Sequence, residues 1–452
     1  MNDVDVDVVV VGAGGGGLAA ALAASDAGAS VVVFEKSDSP GGNTALSTGS
    51  IPAAGSKLQK AAGVQDSPER MVADLLRQSG PHENEEVLRQ LAESSAELID
   101  WLTESHNVSL SLVTDYKHVG HTVHRLHAPE SRRGADLTDD LVAACRAANI
   151  DVITNSPVSS LLVEDGCVEG VVISGERVET QQIRARAVIL ASNGFGANPA
   201  LIRTWLPEAM GTEYFGAHGS TGEGIEWGLE LGGHLANATA YQGYAAVAYP
   251  HGSILSWTTI EMGGIIIDST GNRLGDESVG YSGFTTRIIK GVAPFYVLCD
   301  ERIRDLACRE SEYAELVDMG GVRSYASAAD LAEALGIPVH SLERTLAEYQ
   351  SAAAGDSADP FQRRDFGIAP LQSPLMVSRV VPGIFHTQGG LAVDTEGRVL
   401  GAGDRPIQGL FAVGGVAAGV SGATGADGYS SGNGLLSAIG LGRIAGRAAV
   451  SA

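Results

Sequence analysis

The strongest local pattern in the chain is an almost unbroken β-branched run, Val6 to Val11, stopped by Gly12. An apolar run without alternation predicts a strand buried on both faces of a parallel sheet. Leu18 to Gly28 is Ala-rich and predicts a helix ending at Gly28. Ser30 to Phe34 predicts a second strand, which completes one βαβ unit. Helical spacing follows over Pro68–Ser79 and Asn84–Ser105, and Val158–Val163 and Val168–Ser174 read as strands. Ala187–Ala191 reads as a further buried strand ending in Ser192-Asn193-Gly194, and Thr221-Gly222-Glu223-Gly224 opens another helix. From about Ala238 Tyr, Trp and Thr become more frequent and the strands shorten, as at Gly264–Asp268. The Gly-rich pattern returns after Val381. The expected architecture is α/β: a Rossmann-type dinucleotide-binding domain over 1–237 and 381–452, interrupted by an inserted α+β domain over 238–380.

Composition and charge narrow the function. The 452 residues are 44% hydrophobic and 19% charged, enough for a sizeable core. Fifty-nine glycines point to loops whose backbone approaches a ligand closely. The net charge of −24 argues against nucleic acid, whose phosphates need clustered Lys and Arg. The four cysteines, Cys145, Cys167, Cys299 and Cys308, form no CxxC pair, so no zinc or dithiol site is expected and a reducing cytoplasm fits. No apolar run reaches the roughly 18 residues of a membrane helix, and the acidic start lacks the pattern of a secretory signal.

Gly12-Ala13-Gly14-Gly15-Gly16-Gly17 fits GxGxxG in the context that motif requires, after a strand and opening a helix. Gly12 allows the tight turn, Gly14 lets a pyrophosphate approach, and Gly17 lets helix and strand pack. The helix N-terminus offers N–H groups and a positive dipole end to phosphates. Glu35, at the end of the second strand, stands where a carboxylate takes adenosine ribose hydroxyls.

The segment after that strand, KSDSPGGNTALSTG over 36–49, departs from NAD dehydrogenases. With VVVVGAGGGGLAAALAA, AVILASNGFGAN, TGEGIEWGLELGG, GGIIIDSTGNRLGDE, HTQGGLAVD, GLFAVGG and GNGLLSAIGLGRIAG, it resembles the fumarate reductase and succinate dehydrogenase flavoprotein superfamily, which includes 3-ketosteroid 1-dehydrogenases. These pieces span nearly the whole chain in order. The resemblance implies an FAD-binding domain with a substrate-capping insert. It implies that Glu35, Lys36, Gly41, Gly42, Asn43, Thr44, Ser47 and Gly49 wrap the cofactor and that Val158 meets adenine through its backbone. It also implies contacts from Ser192, Asn193, Gly194, Gly414, Gly415, Asn433, Gly434, Leu435 and Leu436. The last four begin a helix aimed at the flavin pyrimidine. At Gly415 many relatives carry Glu or Asn beside the ribityl chain. The histidine that tethers FAD in succinate dehydrogenases has no match near Asn43-Thr44, so the expected FAD is non-covalent.

The resemblance also locates the chemistry. Fumarate reductases carry a proton-donating Arg four residues past the Glu of their GxRFxNE motif. Here GNRLGDE ends at Glu277 and the matching position is Tyr281. A second Arg, which binds a substrate carboxylate, is matched by Tyr429, counted back from Gly432-Asn433-Gly434. Ketosteroid dehydrogenases are similar in both replacements, although Ser421–Gly428 is longer here and Ser430-Ser431-Gly432-Asn433 replaces their PGAG. Desaturating a ketone needs a base for the α-proton, a hydride acceptor, and stabilisation of the carbonyl oxygen. Tyr281 is expected as base, Tyr429 as carbonyl donor with backbone at Gly432 and Asn433, and Tyr116 as a third tyrosine sharing the proton. His386, in HTQGG, matches the substrate-binding His of fumarate reductases. His118, His121, His124, Arg125 and His127 fit no standard metal-ligand spacing and read as a loop near the substrate mouth, and Arg132-Arg133 could attract an acidic substrate.

The expectation is therefore an FAD-dependent desaturase of a cyclic ketone, a 3-ketosteroid or a smaller ring such as 4-oxocyclohexanecarboxylate. An enoate or fumarate-type reductase and a protein with non-catalytic FAD are the rivals. The substrate is a small molecule and no metal is expected; neither the electron acceptor nor the oligomeric state is legible.

Overall fold

The computed structural model describes residues 5–115, 117–175 and 178–451. Val6–Val11 form strand β1, with Val8, Val9 and Val10 fully buried. The chain turns at Gly12 into helix α1, Gly15–Asp26, and returns as strand β2, Val31–Phe34. β1 pairs in parallel with β2, Val8 opposite Val31, and in parallel with Val178–Leu190, Val8 opposite Ala187. The sheet continues in parallel to Pro406–Ala412 on one side and from β2 to Asp151–Ile153 on the other. Parallel neighbours far apart in sequence are what runs buried on both faces demand. An antiparallel hairpin, Val158–Glu164 with Cys167–Gly175, joins through Val178–Leu190.

Helix α1 is buried from Gly15 to Ala24. Its small side chains let the C-terminal helix Leu441–Ala449 approach backbone to backbone. A Cβ at Gly442 would lie 2.3 Å from the Gly16 carbonyl oxygen, and one at Gly446 2.1 Å from that of Ala20. Both ends of the chain thus build the dinucleotide half of the molecule.

The chain divides into two compact units. The first takes the chain up to Met210, Tyr214–Tyr241 and His386 onward; the second takes Gly211–Glu213 and Gln242–Phe385. The second begins and ends slightly later than the expected 238–380, its two bounds falling inside the strands Thr239–Ala248 and Leu375–Thr387. Within it, Phe295–Asp300 pairs antiparallel with Ile265–Ile267 and with Leu375–Thr387, Ile265 opposite Leu298 and Leu298 opposite Val377. Helices Ala328–Leu335 and Val339–Ala354 pack Leu331, Leu342, Leu346 and Tyr349 onto that sheet. This is the α+β insert the sequence predicts. Among the described residues no helix is long and apolar enough to cross a membrane, and no group of His, Cys, Asp and Glu could hold a metal.

Candidate active site

The turn between β1 and α1 separates glycines needed by the protein from a glycine kept free for something else. At Gly12, φ is +107° and a Cβ would lie 2.6 Å from the Ala191 carbonyl oxygen. At Gly17 a Cβ would lie 2.0 Å from the Gly12 oxygen. At Gly14 the nearest atom is the Gly41 oxygen at 3.7 Å, an ordinary contact. The protein itself has room for a side chain there, so the bare backbone serves a ligand. Gly434 is likewise open, with nothing near the Cβ position, whereas Gly42 is open but its φ of +52° itself calls for glycine. Glu35 spans the turn, accepting the Ala13 N–H at one carboxylate oxygen and the Ser37 N–H at the other, both at 2.8 Å. Asn155 and Ser156 donate to the Ser37 and Glu35 carbonyls, which sets the start of the Val158 strand beside that carboxylate. A bare Gly14 in a turn fastened to an anchored carboxylate fits an adenine dinucleotide.

The GGNT loop is fastened to the same turn. The Gly41 N–H donates to the Ala13 carbonyl, and the Gly15 N–H donates to Thr44 Oγ1 at 3.1 Å. Ser47 Oγ donates to the Thr44 carbonyl and accepts the Gly49 N–H, so these two residues shape the loop from within. Asn43 Oδ1 accepts the Ala217 N–H at 2.6 Å. Lys36 Nζ donates to Glu223 Oε1 at 2.7 Å and Thr221 Oγ1 at 2.8 Å, so a protein carboxylate already engages its charge.

Ser192, Asn193 and Gly194 follow the central strand. Asn193 adopts a left-handed φ of +69° and donates from Nδ2 to Ser220 Oγ at 2.7 Å. The Ser192 hydroxyl is buried without a partner. Gly414 has room at its Cβ position, 3.8 Å from the nearest atom, whereas at Gly415 a Cβ would lie 2.3 Å from Asn193 Oδ1 and 2.7 Å from His386 Cε1. The missing side chain at 415 is therefore structural: Asn193 and His386 fill its place. His386 is crowded by protein atoms, and that burial pushes its imidazole down to about 4, so it is neutral at physiological pH.

Asn433 opens an unbroken helical run through Leu435 and Leu436–Gly440 into Leu441–Ala449. Gly432 precedes it with φ +82° and accepts the Leu435 and Leu436 N–H groups. Asn433 Oδ1 and Ser430 Oγ are buried without partners, beside the buried Tyr429. The Ser431 N–H donates to the Val119 carbonyl at 3.0 Å, and His121 Nε2 donates to the Ser431 carbonyl at 2.8 Å.

The histidine-rich segment is thus a clamp. Arg125 donates to Asp66 from Nε at 2.6 Å and to Asp74 from Nη1 at 2.6 Å, with every group buried. Burial would raise the Asp74 carboxyl, but hydrogen bonds from Thr122, Arg125 and Arg77 outweigh it and hold it low. His127 Nε2 shares a hydrogen bond with Ser56 Oγ at 2.7 Å, and burial pushes it down to about 4.

Tyr281 belongs to the second unit, on the short helix Gly280–Gly283. Its ring stacks on Tyr244 at 5.0 Å and meets Trp257 edge-on at 6.2 Å, and Tyr244 stacks on Phe385 at 5.4 Å. Burial, then the nearby Tyr281 and the acidic Glu310 and Glu261, push the Tyr244 phenol well up, and it donates to the Leu255 carbonyl at 2.9 Å. Tyr244 is therefore wall, not base. The Arg of GNRLGDE, Arg273, lies buried against Glu277 and Asp359. Tyr116 lies outside the described residues. The aromatic wall escaped sequence reading, because Tyr244, Trp257, Tyr281 and Phe385 come from four separate segments. Tyr214 escaped it as well. Burial raises its phenol, and hydrogen bonds to Ser220 and Asn43 pull the other way.

Residues 7–433 match a family model described as FAD binding domain. Over 433 residues the chain is 31% identical to a probable fumarate reductase of Shewanella frigidimarina, covering 94% of this chain and 71% of that one. A flavocytochrome c3 fumarate reductase in its open conformation superposes with a TM-score of 0.81 at 30% identity, over 99% of this chain and 78% of the other. A 3-ketosteroid Δ4-(5α)-dehydrogenase from Rhodococcus jostii RHA1, in complex with 4-androstene-3,17-dione, superposes with a TM-score of 0.81 at 26% identity, over 100% and 98%.

Proposed function

We propose that this chain, which belongs to the FAD binding domain family, introduces an α,β double bond into a cyclic ketone. That it binds FAD and is an oxidoreductase of CH–CH groups follows from the family and its relatives; the substrate class and direction are the proposal. One observation carries it. Where a fumarate reductase places a proton-donating guanidinium, Tyr281 presents a phenol on an aromatic wall of Tyr244 and Trp257. Such a wall suits an apolar ring better than a small dicarboxylate.

Bound FAD supplies hydride acceptance. Tyr281 takes the α-proton. Only its phenolate can accept that proton, and a Tyr phenol titrates near 10, so Tyr281 must first pass its own proton on; the α-proton becomes acidic as the carbonyl oxygen gains stabilised charge. Tyr429 donates its O–H to that oxygen, with backbone at Gly432 and Asn433 beside it. The neutral His386 contributes a hydrogen-bonding group without charge. Glu35 receives the ribose hydroxyls, the Gly12–Gly17 and Gly41–Thr44 backbones receive the pyrophosphate, and Asn193 supplies the polar group that a residue at 415 provides in relatives. The FAD is non-covalent, and because all four thiols are free we assign the protein to the reducing cytoplasm.

The direct test supplies an artificial electron acceptor and a saturated cyclic ketone. An enone should form, and fumarate with a viologen donor should turn over far more slowly. Rapid fumarate reduction would overturn the assignment of both tyrosines and favour the reductase reading that the fumarate reductase relatives support. Bleaching of the bound flavin by the ketone would separate an enzyme from a protein whose FAD is inert. The cofactor roles have their own check. Denaturation should release FAD into solution. Glu35→Ala should weaken FAD retention roughly ten- to hundredfold, because charge-assisted hydrogen bonds contribute about 1.5–3 kcal/mol. Unchanged retention in a dialysis assay would remove Glu35 from the site.

A further inference from the structure

In a chain of net charge −24, a half-buried arginine without a carboxylate partner is out of place. Arg132 is such a residue. Among the described residues no Asp or Glu forms an ion pair with it, and its Nε is buried without a hydrogen bond. Its backbone adopts φ +57°, a region that non-glycine residues enter only at a cost. The contrast with nearby Arg125, held between two aspartates, is complete. A half-buried guanidinium whose Nε is buried and with which no carboxylate of the described residues pairs is open to an anionic ligand.

The group that Arg132 does face is His118, whose Nε2 lies 3.5 Å from Arg132 Nη2. A guanidinium only donates, so that ring nitrogen must be a lone-pair acceptor and the imidazole neutral. Burial first, then the charge of Arg132, push His118 down to about 3. The neutral imidazole leaves the positive charge of Arg132 in place. Its position is also defined. The His118–His121 turn carries the two hydrogen bonds that fasten Ser431, and a Cβ at Gly120 would strike the buried Ser430. Arg132 thus points its side chain toward the turn that holds the Tyr429 segment. Its own turn is tied to the Ser47 carbonyl through the Gly134 N–H at 2.7 Å.

We propose that Arg132, with His118, receives a carboxylate on the substrate, so that the substrate is a cyclic keto acid and not a neutral ketone. The keto half of that statement rests on the desaturase reading; the acid half rests on Arg132 alone. The planar fork of a guanidinium matches a carboxylate with two parallel hydrogen bonds. The FAD pyrophosphate is the other anion that could reach an arginine in this unit, and the test separates the two.

The holoprotein is titrated with 4-hydroxybenzoate and with its neutral isostere 4-hydroxybenzamide, and binding is read from the visible spectrum of the oxidised flavin. Neither probe can be desaturated, so the result does not depend on ketone turnover. The acid should bind more tightly than the amide. Arg132→Met should weaken the acid roughly ten- to hundredfold and leave the amide unchanged. Arg132→Lys should recover part of the loss. Equal binding of acid and amide by the unaltered protein would overturn the proposal even if no variant folds. Loss of FAD from Arg132→Met with equal losses for both probes would assign the arginine to the cofactor instead. A clear acid preference with no ketone oxidation would leave the acid subsite standing and remove the desaturase reading.

Discussion

Tyr281→Phe should lower kcat for ketone oxidation by roughly 10²- to 10⁴-fold, the contribution of a positioned acid or base. Flavin content and thermal stability should not change. The ring is held by stacking on Tyr244 at 5.0 Å and by the edge of Trp257 at 6.2 Å, and Phe keeps both contacts. The backbone is held independently, since Thr285 Oγ1 donates to the Tyr281 carbonyl at 3.0 Å. Tyr429→Phe should also slow turnover, by about 10²- to 10³-fold, the loss of one oxyanion donor. It should in addition weaken phenol ligands that mimic the enolate, which Tyr281→Phe should affect less. The two roles separate most cleanly in the reduced enzyme, where hydride transfer is blocked. Exchange of the substrate α-hydrogen with deuterated water should then proceed in the unaltered protein and vanish in Tyr281→Phe. Near-normal turnover by both variants would place the chemistry elsewhere.

The parts of this protein that could be read from sequence are those fixed by neighbours in the chain. Val6–Val11, the glycines of 12–17 and Glu35 fall within one βαβ unit, whose strand, turn and helix each obey local rules. What could not be read depends on residues brought together by the fold. Gly415 departs from relatives for a reason visible only when Asn193 and His386 arrive from two other segments to fill the space. The histidines of 118–127 are dense in sequence, but their partners, Ser431, Ser56 and Ile51, are remote from them. Density alone therefore gave a loop and no clamp. Lys36 sits next to Glu35 and invited a cofactor role, whereas Glu223, far along the chain, takes its charge.

The GNRLGDE segment holds a second large effect, this time on stability. Glu277→Ala should destabilise the inserted unit by about 3–5 kcal/mol, the cost of breaking a buried charge network by removing one member. Glu277 is fully buried. Its Oε1 accepts Arg273 Nε at 3.0 Å and the Ile266 N–H at 3.2 Å, and its Oε2 accepts Arg273 Nη2 at 2.7 Å and Arg363 Nη1 at 3.1 Å. Asp359 is the second carboxylate of the set, bonded to Arg273 Nη1 and to the Arg363 N–H. Two cations and two anions therefore balance, and the Tyr349 ring lies against both guanidinia at 5.0 and 5.7 Å. Removing Glu277 leaves two buried guanidinia facing one carboxylate, and no water can replace the lost charge. Glu277→Gln should cost less than Ala, because the amide oxygen still accepts from Arg273 and Ile266, but it should not restore the charge balance. The measurement is urea unfolding followed by near-ultraviolet signals of the tryptophans and tyrosines, with flavin release followed separately, because a chain of two units need not unfold in one step. The network also anchors the turn Glu277–Val279, which leads directly into the short helix that carries Tyr281. Glu277→Ala should therefore lose turnover together with stability, whereas Tyr281→Phe should lose turnover alone. If Glu277→Ala unfolds at the same urea concentration as the unaltered protein, the four charges are not a coupled unit, and the motif must be retained for another reason.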